Sequence, residues 1–518
     1  MGRDPSWSDS YCSQMEDMVR RGVVRKLSSE EVAGWTGPSF YISHLAVCNP
    51  KSKSTPVRIV FNSAQVFKVV SLNSYLAKGP DSYRNTLLGI LLRWKEEVVP
   101  LVGDIRKMFH SVHINPQEQH CHRFLWRDLA LSREPDIYVL LRVTMGDKPA
   151  PAIAMEALFM TAEMYKETYP RASQFILESS YVDDLIDSVV DIKCAEKLAQ
   201  DTEKVLAKGG FEVKCWQSIG KSNTLQGGEL KESADGCIGV LGVNWNPNED
   251  TITFRASLNF SKKKHGERTE PNLDRKSLPE SLPRVLTKRL VLQQVMGIYD
   301  PIGLVSPFTF LAKIYLRETW QSGLDWDDVL PPQLYRKWVE FFKKLFLLEE
   351  LIFPRCMRPT NAVGVPWLII LSDGSDQAYG CSAYVRWNCS DGSVHMQLIM
   401  SKSRIAPVDK VSTPRMELNG AVLSKRCRAV ISKEMRYKFE RVIQLVDSET
   451  VLNMLHKTSY RFHVYEGVRI GEIQSATNGD MSDWAWMPGA KNTADWLTRG
   501  RNPEELGKDS DWFRGPPM

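Results

Sequence analysis

Two adjacent aspartates, Asp183 and Asp184, stand inside an apolar run in the segment SSYVDDLIDSV. Like charges placed side by side repel each other, and each one loses hydration when it is buried. The apolar residues on both sides predict two short strands joined by a tight turn, with the aspartates at its tip. The pair is therefore either a solvated surface turn or a site for a strongly positive partner.

A third aspartate follows an apolar stretch earlier in the chain. VVPLVGDI predicts a buried strand that ends at Asp104. Because Asp104 is far from the aspartate pair in the sequence, only tertiary structure can bring the three together. Converging carboxylates would need divalent cations, and Mg²⁺ prefers oxygen ligands while it keeps water and phosphate oxygens in its shell. Two such ions could hold an attacking 3′-oxygen and a leaving pyrophosphate.

Four more carboxylates occupy similar places in the last third of the chain. Asp373 and Asp447 end the apolar strands of VPWLIILSDGS and RVIQLVDSE, whereas Glu417 and Asp495 fall on predicted helices. Strand ends and helix starts can meet at one edge of a sheet, where four carboxylates could hold two Mg²⁺ ions. Taken singly, each of these residues could equally be an ordinary surface carboxylate.

Length and charge divide the chain into parts. At 518 residues it exceeds what one hydrophobic core supports, so two to four domains are expected. The net charge of +5 permits a polyanionic partner without requiring one. Residues 255–290 carry ten Lys and Arg against four Asp and Glu, which predicts a linker or an exposed basic loop. Two helices are predicted after it, in SPFTFLAKIYLRETWQSG and PPQLYRKWVEFFKKLFLLEEL.

Several classes of protein are not expected from the sequence. The ten cysteines form no CxxC pair, so neither a zinc ribbon nor a disulfide framework is predicted, and a reduced intracellular setting fits best. The HCH sequence at His120–His122 lacks a second ligand pair at zinc spacing. The sequence contains no apolar stretch of about 20 residues, so no membrane span is predicted.

The order of the motifs resembles that in the polyprotein of BEL/Pao-type LTR retrotransposons. The segments that carry the resemblance are RIVFNSA, SLNSYLAKGP, LLRWKEEVVPLVGDIRKMFHSV, HRFLW, GDKPAPAIA, YVDDLIDSV, LGVNWNPNEDTITF and YDPIGLVSPFTFLAKI. YVDD and DIRKMF are similar to the metal-binding motifs of reverse transcriptases. SDGS, MELNGA, DSETVL and NTADWLTRG are similar to the four acidic motifs of ribonuclease H.

The resemblance implies an α+β and α/β multidomain fold: a right-hand polymerase with palm, fingers and thumb, followed by a tethered ribonuclease H-like domain with a mixed sheet. The implied domains are fingers at 1–95, palm at 96–255, a basic linker with a helical thumb and connection at 256–360, ribonuclease H at 361–500 and a linker tail at 501–518. In this family part of the connection carries a "Pao peptidase" label, but no proteolytic constellation is found there. The motifs of an aspartic protease and an integrase are also missing, which predicts an internal piece of a polyprotein.

The resemblance also implies metal ligands. Asp104, Asp183 and Asp184 would bind the polymerase metals, and the second set would bind those of ribonuclease H: Asp373, Glu417, Asp447 and Asp495. The expected cofactor is Mg²⁺, two ions per site, or Mn²⁺ in its place. Some relatives have a histidine before the last acidic residue of ribonuclease H, and this chain has none in MPGAKNTAD.

Other residues are implied to contact nucleotide or primer. Phe109 stands where the family has an aromatic residue that excludes a 2′-hydroxyl, although it could also be ordinary core. Arg58 matches a triphosphate-binding arginine, whose planar fork suits phosphate. Gly146 belongs to the loop under the nascent base pair, and Trp216 is a candidate platform for the primer end.

Two departures from the family bear on the nucleotide pocket. Asn62 replaces the usual Asp, and Pro151 stands where relatives often have Gly. In the basic segment, Lys262, Lys263 and Lys264 are predicted to contact the phosphates of the departing hybrid, with a solvated tether as the alternative.

The implied function is an RNA-directed DNA polymerase with an attached ribonuclease H that degrades the RNA strand of RNA/DNA hybrids. The implied partners are an RNA template, a DNA primer, the RNA/DNA hybrid and dNTPs, with no membrane. The expected location is a cytoplasmic retroelement particle or the nucleus, and the oligomeric state stays open. The alternative is an inactive or host-adopted remnant that binds nucleic acid without catalysis. The presence of all seven carboxylates favours the enzyme.

Overall fold

A computed structural model describes residues 5–48, 57–80, 84–219, 236–261, 263–264, 267–268, 270–278, 281–477 and 479–517. The α-helices are α1 (Pro5–Arg20), α2 (Ser29–Gly34), α3 (Leu72–Tyr75), α4 (Leu87–Trp94), α5 (Pro116–Gln119), α6 (Ala150–Met164), α7 (Pro170–Ser179), α8 (Ile192–Lys208), α9 (Lys288–Val295), α10 (Ser306–Gln321), α11 (Pro332–Leu345), α12 (Thr413–Glu434), α13 (Glu449–Leu455), α14 (Val464–Ser475), α15 (Trp496–Arg499) and α16 (Asp511–Arg514). In the described residues, no helix combines the length and apolarity needed to cross a bilayer.

The strands are β1 (Val24–Lys26), β2 (Ser43–Cys48), β3 (Val57–Asn62), β4 (Val99–Ile105), β5 (Arg123–Trp126), β6 (Asp136–Leu140), β7 (Ser180–Tyr181), β8 (Asp184–Val189), β9 (Val213–Gln217), β10 (Ile238–Val240), β11 (Val243–Asn246), β12 (Thr251–Thr253), β13 (Lys263–Lys264), β14 (Glu267–Arg268), β15 (Ile352–Pro354), β16 (Ala362–Gly374), β17 (Ala378–Cys389), β18 (Val394–Ile405), β19 (Arg441–Val446) and β20 (Trp484–Trp486). Short 3₁₀ helices lie at Met108–Ser111, His120–His122, Arg275–Ser277, Phe346–Glu350, Ser459–Arg461, Gly489–Lys491, Thr493–Asp495 and Pro503–Glu505.

The YVDD sheet, in the order β7-β8-β4-β9, carries the first set of aspartates. Its pairings are antiparallel. Strand β4 is almost entirely buried, as its continuous apolar sequence predicts. Helices α6, α7 and α8 pack together beside this sheet, and their buried side chains share a core with β4, β8 and β9. Asp191 caps the N-terminus of α8, because its side chain accepts a hydrogen bond from the backbone N–H of Cys194.

Two small sheets share a core with the YVDD sheet. One has the order β1-β6-β5, and the other is the hairpin of β2 and β3. Their aromatic residues enter the same core, where the rings of Phe61 and Phe124 meet edge to face at 5.0 Å. Helix α1 packs against β3. The N-terminal part of the chain therefore shares one core with the YVDD sheet.

The described part of the predicted basic segment is anchored by buried residues, whereas basic side chains such as Arg275, Lys276 and Arg284 are exposed. The side chain of Leu258 is fully buried and that of Leu286 is 1% exposed. Asn259 and Gln294 exchange two hydrogen bonds, at 2.9 and 3.0 Å. A charge count over the whole segment does not reveal the buried leucines that anchor it. Strand β15, which follows α11, pairs with β12 and closes the sheet β10-β11-β12-β15.

The long-strand sheet, in the order β18-β17-β16-β19-β20, carries the second set of carboxylates. Strands β16, β17 and β18 are antiparallel, whereas β19 and β20 run parallel to β16. This is the mixed sheet that the family resemblance implied. Helix α12 packs across β16 and β17, while the predicted helix α10 packs against β18 and α15.

The two large sheets share one continuous hydrophobic core, so a loose tether is the wrong description of how they are joined. The guanidinium of Arg355 is fully buried and donates to the carbonyls of Glu97 and Val98, at 3.0 and 2.9 Å. At the end of α12, Tyr437 donates to the carbonyl of Glu96. These buried polar contacts join the segment that leads into β4 to the segments that follow β15 and α12.

Candidate active sites

The predicted hairpin of the YVDD segment is present, with Val182 and Asp183 as its turn. Tyr181 pairs with Asp184, which opens β8. Val182 adopts a φ of +54°, a left-handed conformation that is unusual for a β-branched residue. Strained backbone of this kind tends to occur at functional sites, where the surrounding fold holds it in place. The turn places the two aspartates at one end of the sheet.

Asp104 lies directly opposite this turn. It is the Cα partner of Asp184, and the next residue, Ile105, donates its backbone N–H to the carbonyl of Asp183 at 2.8 Å. The structure thus brings together three aspartates that are distant in sequence. Strand β4 continues one residue beyond the predicted end at Asp104.

The electrostatics of the first site reflect crowded negative charge. Burial raises the pKa of Asp184 to about 7, and the charges of Asp183 and Asp104 add to the rise. Burial also raises the pKa of Asp183, with a further contribution from Asp104, while Lys214 opposes it. Lys214, which the sequence analysis missed, forms an ion pair with Asp104 at 3.3 Å. The chain itself thus supplies a cation at this site.

These residues fit a divalent cation by their chemistry. The donors are carboxylate oxygens, and a bound cation would favour the charged forms that burial and mutual repulsion disfavour. In the described parts of the chain, no three carboxylate, imidazole or thiolate groups are gathered tightly enough to enclose a metal ion. An ion would therefore have to draw these side chains together.

A cavity of about 1750 Å³ opens beside the first site. Asp104 and Asp183 line it together with Arg58, Phe109 and Lys214. Arg58 is exposed on β3, and Phe109 is 8% exposed, so its ring belongs to the core and also reaches the cavity wall. The volume is larger than that of most pockets for small molecules, which span about 300–1,000 Å³.

The structure shows what surrounds Gly146 and Trp216. A Cβ on Gly146 would lie 2.0 Å from the carbonyl oxygen of Phe61, so this glycine allows close approach of β3. Trp216 is 2% exposed and donates from Nε1 to Glu203 at 2.9 Å. Its ring fills the space left by the missing side chain of Gly103, so the proposed platform for a primer is wrong.

The three lysines of the basic segment are only partly covered by the structure. Lys262 lies outside the described residues, and Lys263 and Lys264 are described only as the backbone of β13.

In the HCH sequence, the two histidines have protein partners. His120 accepts a hydrogen bond from Arg123, and Nε2 of His122 lies 2.9 Å from Oδ2 of Asp147.

The second site is built where α12 crosses the end of β16. A Cβ on Gly374 would lie 2.2 Å from the backbone carbon of Met416, and one on Gly420 would lie 2.6 Å from the carbonyl oxygen of Asp373. The two glycines let the helix touch the strand, and this contact brings the backbone of Glu417 next to Gly374, the residue after Asp373. Their role was missed, although both stand inside the acidic motifs SDGS and MELNGA.

The carboxylates of the second site interact electrostatically, and burial and mutual repulsion raise the pKa of three of them. Burial raises the pKa of Asp373 to about 6, the charges of Asp447 and Asp495 add to the rise, and a hydrogen bond from Thr498 opposes it. Burial raises the pKa of Asp447, and the charge of Asp495 raises it further. Burial raises the pKa of Glu417, and the charge of Asp447 raises it further. As at the first site, oxygen donors with excess negative charge fit divalent cations.

Neighbouring side chains orient these carboxylates. Asn492 is 3% exposed, donates to the carbonyl of Ser372 at 3.0 Å and hydrogen-bonds Asp447. Thr498 donates to Asp373, and Arg499 forms an ion pair with Asp495 at 2.5 Å. These contacts were not predicted, although their residues lie in the motif NTADWLTRG.

Comparison with known proteins agrees with this architecture. Residues 287–448 match the model of the Pao retrotransposon-like RNaseH-like domain, a range that includes α9 to α11, Asp373, Glu417 and Asp447. No curated protein sequence matches the chain.

Three structures of the foamy viral protease-reverse transcriptase have a similar fold. The dRH form with double-stranded DNA has 14% identity and a TM-score of 0.53 over 93% of this chain and 69% of that one. The complex with an RNA/DNA hybrid has 14% identity and a TM-score of 0.51 over 95% and 55%. The complex with double-stranded DNA has 15% identity and a TM-score of 0.53 over 93% and 82%. At this identity the likeness shows the fold alone: the chain has the mixed, multidomain fold of these proteins.

Proposed function

We propose that this chain is an RNA-directed DNA polymerase with an attached ribonuclease H, from the Pol polyprotein of a BEL/Pao-type retrotransposon. One observation carries the proposal: seven carboxylates gather into two separate sets, each at the end of a central strand, in a chain with the fold of a viral protease-reverse transcriptase. In this proposal the YVDD sheet belongs to the palm, and the hairpin of β2 and β3 belongs to the fingers. Helices α9, α10 and α11 would supply thumb and connection.

At the first site, Asp104, Asp183 and Asp184 would hold two Mg²⁺ ions. When bound, the ions would neutralise charge on the phosphates and activate the primer 3′-hydroxyl. The chain's own residues would position the substrate. Arg58, exposed on the cavity wall, would contact the triphosphate, and the ring of Phe109 would leave no space for a 2′-hydroxyl.

At the second site, Asp373, Glu417, Asp447 and Asp495 would hold the ions that activate water and stabilise the leaving oxygen. Asn492 and Thr498 would keep two of these carboxylates in place. The substrate would be the RNA strand of a hybrid, distinguished from DNA by its 2′-hydroxyls in a wide, shallow minor groove. The partners of the whole protein would be an RNA template, a DNA primer, the hybrid and dNTPs, in a cytoplasmic particle or the nucleus.

Primer extension on an RNA template with Mg²⁺ tests the polymerase, and cleavage of a labelled RNA/DNA hybrid by the same preparation tests the nuclease. We expect Asp183→Asn to abolish extension alone and Asp447→Asn to abolish cleavage alone. A protein that binds hybrid but neither extends nor cleaves it would instead support the alternative of a host-adopted remnant.

A further inference from the structure

A buried hydrogen-bond network lies directly behind the cavity wall that Thr144 and Met145 help to form. At its centre is Asp147, which is 6% exposed. The hydroxyl of Ser63, fully buried, donates to Oδ1 at 2.6 Å, and Nε2 of His122 donates to Oδ2 at 2.9 Å. Each oxygen of this buried carboxylate therefore has a donor from a distant part of the chain.

Asn73 grips the same loop from its other side. Its Nδ2 donates to the carbonyl of Gly146 at 3.0 Å, and its Oδ1 accepts from the backbone N–H of Lys148 at 2.8 Å. Its own backbone N–H donates to the carbonyl of Ser63 at 2.9 Å. The side chain of Asn73 thus holds the residues on both sides of Asp147, and its backbone N–H joins them to Ser63, the residue that follows β3.

The network connects two walls of the cavity. Thr144 and Met145 stand on the loop that it holds, and Arg58 lies on β3, which ends just before Ser63. Close contact between Gly146 and the carbonyl of Phe61 leaves the loop no room to approach further. The hydrogen bonds prevent it from moving away, so together these contacts set the separation of the walls.

The chemistry of the network favours positioning over simple packing. Apolar residues could fill the same volume without the desolvation cost of a buried carboxylate, whereas a satisfied polar network specifies one arrangement. A metal site is not supported, because His122 and Asp147 are joined by no third ligand within the described residues.

We propose that Ser63, Asn73, His122 and Asp147 are positioning residues for the incoming nucleotide. They hold the loop of Thr144 and Met145 at a fixed distance from the strand that carries Arg58. This inference rests on the proposed polymerase function. It adds four residues that contact neither metal nor substrate and yet determine how tightly a deoxynucleoside triphosphate is held.

The test compares Asp147→Ala, Asn73→Ala and Asp147→Asn with the parent protein in single-nucleotide extension. Both alanine variants should raise the KM for dNTP by about tenfold or more, since each leaves buried polar groups without partners. Affinity for primer–template and hybrid cleavage by the second site should stay at parental values. Asn388→Ala is the matched control, because Asn388 is exposed and its side chain accepts from Arg386 in the long-strand sheet.

Asp147→Asn is the conservative variant. Its amide oxygen can still accept from Ser63, and its NH₂ can donate to Nε2 of His122 once the ring proton moves to Nδ1, which faces the carbonyl of Glu118 at 3.3 Å. We expect its KM for dNTP to remain within about threefold of the parent.

Three results would count against these ideas in distinguishable ways. An alanine variant with parental KM for dNTP would overturn the positioning role. So would parallel losses of extension, primer–template affinity and hybrid cleavage, which would mean that the network only supports folding. A parent protein that extends no primer would overturn the proposed function itself, and this inference with it.

Discussion

The ion pair between Arg436 and Asp187 offers a direct measure of how strongly the two halves of the chain depend on each other. Arg436 follows α12, and two of its nitrogens reach the two carboxylate oxygens of Asp187 at 2.7 Å each. The side chain of Asp187 is fully buried on β8, the strand that begins at Asp184. Replacing Arg436 with alanine would leave a buried carboxylate without its main partner.

The expected loss can be derived from these contacts. Removing one member of a buried ion pair typically costs about 3–5 kcal/mol. Two weaker partners of Asp187 would remain: Arg171 at 3.5 Å and the backbone N–H of Ser188 at 2.7 Å. We therefore expect Arg436→Ala to lower the free energy of unfolding by about 3 kcal/mol, at the lower end of that range.

A matched control lies on α12, the helix that precedes Arg436. Arg426 and Glu472 also form a two-point pair, at 2.7 and 2.8 Å, but the arginine side chain is 58% exposed. Exposed pairs contribute about 1 kcal/mol or less, because water screens the charges and already solvates them. Arg426→Ala should therefore change the stability little, although it removes a pair with the same geometry.

Urea denaturation followed by tryptophan fluorescence would compare the variants. Arg436→Ala should move the midpoint clearly, Arg426→Ala should barely do so, and adding Asp187→Asn to Arg436→Ala should recover part of the loss by removing the buried charge. Primer extension by Arg436→Ala should also fail at a lower temperature than in the parent, because β8 carries Asp184. Equal midpoint shifts for the two arginine variants would refute the argument from burial.

Three further predictions concern the first site and the basic segment. Asp183→Asn should slow primer extension by ~10²-fold or more, as for other losses of electrostatic stabilisation, and a parental extension rate would exclude Asp183 from the site. Phe109→Ala should lower the ratio of dNTP to rNTP incorporation, whereas an unchanged ratio would leave Phe109 as core only. Replacing Lys262, Lys263 and Lys264 with alanine should weaken binding to all hybrid sequences alike and flatten the salt dependence of log affinity by roughly one unit per lost phosphate contact; a parental salt slope would mean that these lysines are a tether.

Local patterns in the sequence were sufficient to predict the elements around both sites. The apolar runs of β4 and β19 formed the predicted strands, although only the second half of β19 is buried. Strand β4 ends one residue after Asp104, and β19 ends one residue before Asp447. The YVDD segment gave a hairpin with a two-residue turn. Such predictions succeed because strand formation and turn geometry depend on neighbouring residues. The carboxylates at strand ends could therefore be chosen before any contact was known.

Residues whose role depends on what lies across the fold could not be judged in this way. Trp216 and Gly146 stand in suggestive motifs, but their neighbours are Gly103 and the carbonyl of Phe61. The charge count of residues 255–290 likewise gave no sign of the buried Leu258. Whether a side chain faces a ligand, a helix or solvent is a property of packing, and packing joins segments that are distant in sequence.

The sequence by itself determined which residue types could do chemistry and on which strand or helix each would lie, because periodicity and turn propensity are local. Only the tertiary structure decided which of them meet. It placed Asp104 opposite Asp184, joined Ser63 and His122 through Asp147, and seated the long-strand sheet on the YVDD sheet through one shared core. The physical reason is that burial and electrostatic interactions act through space, between groups whose separation along the chain carries no information about their distance.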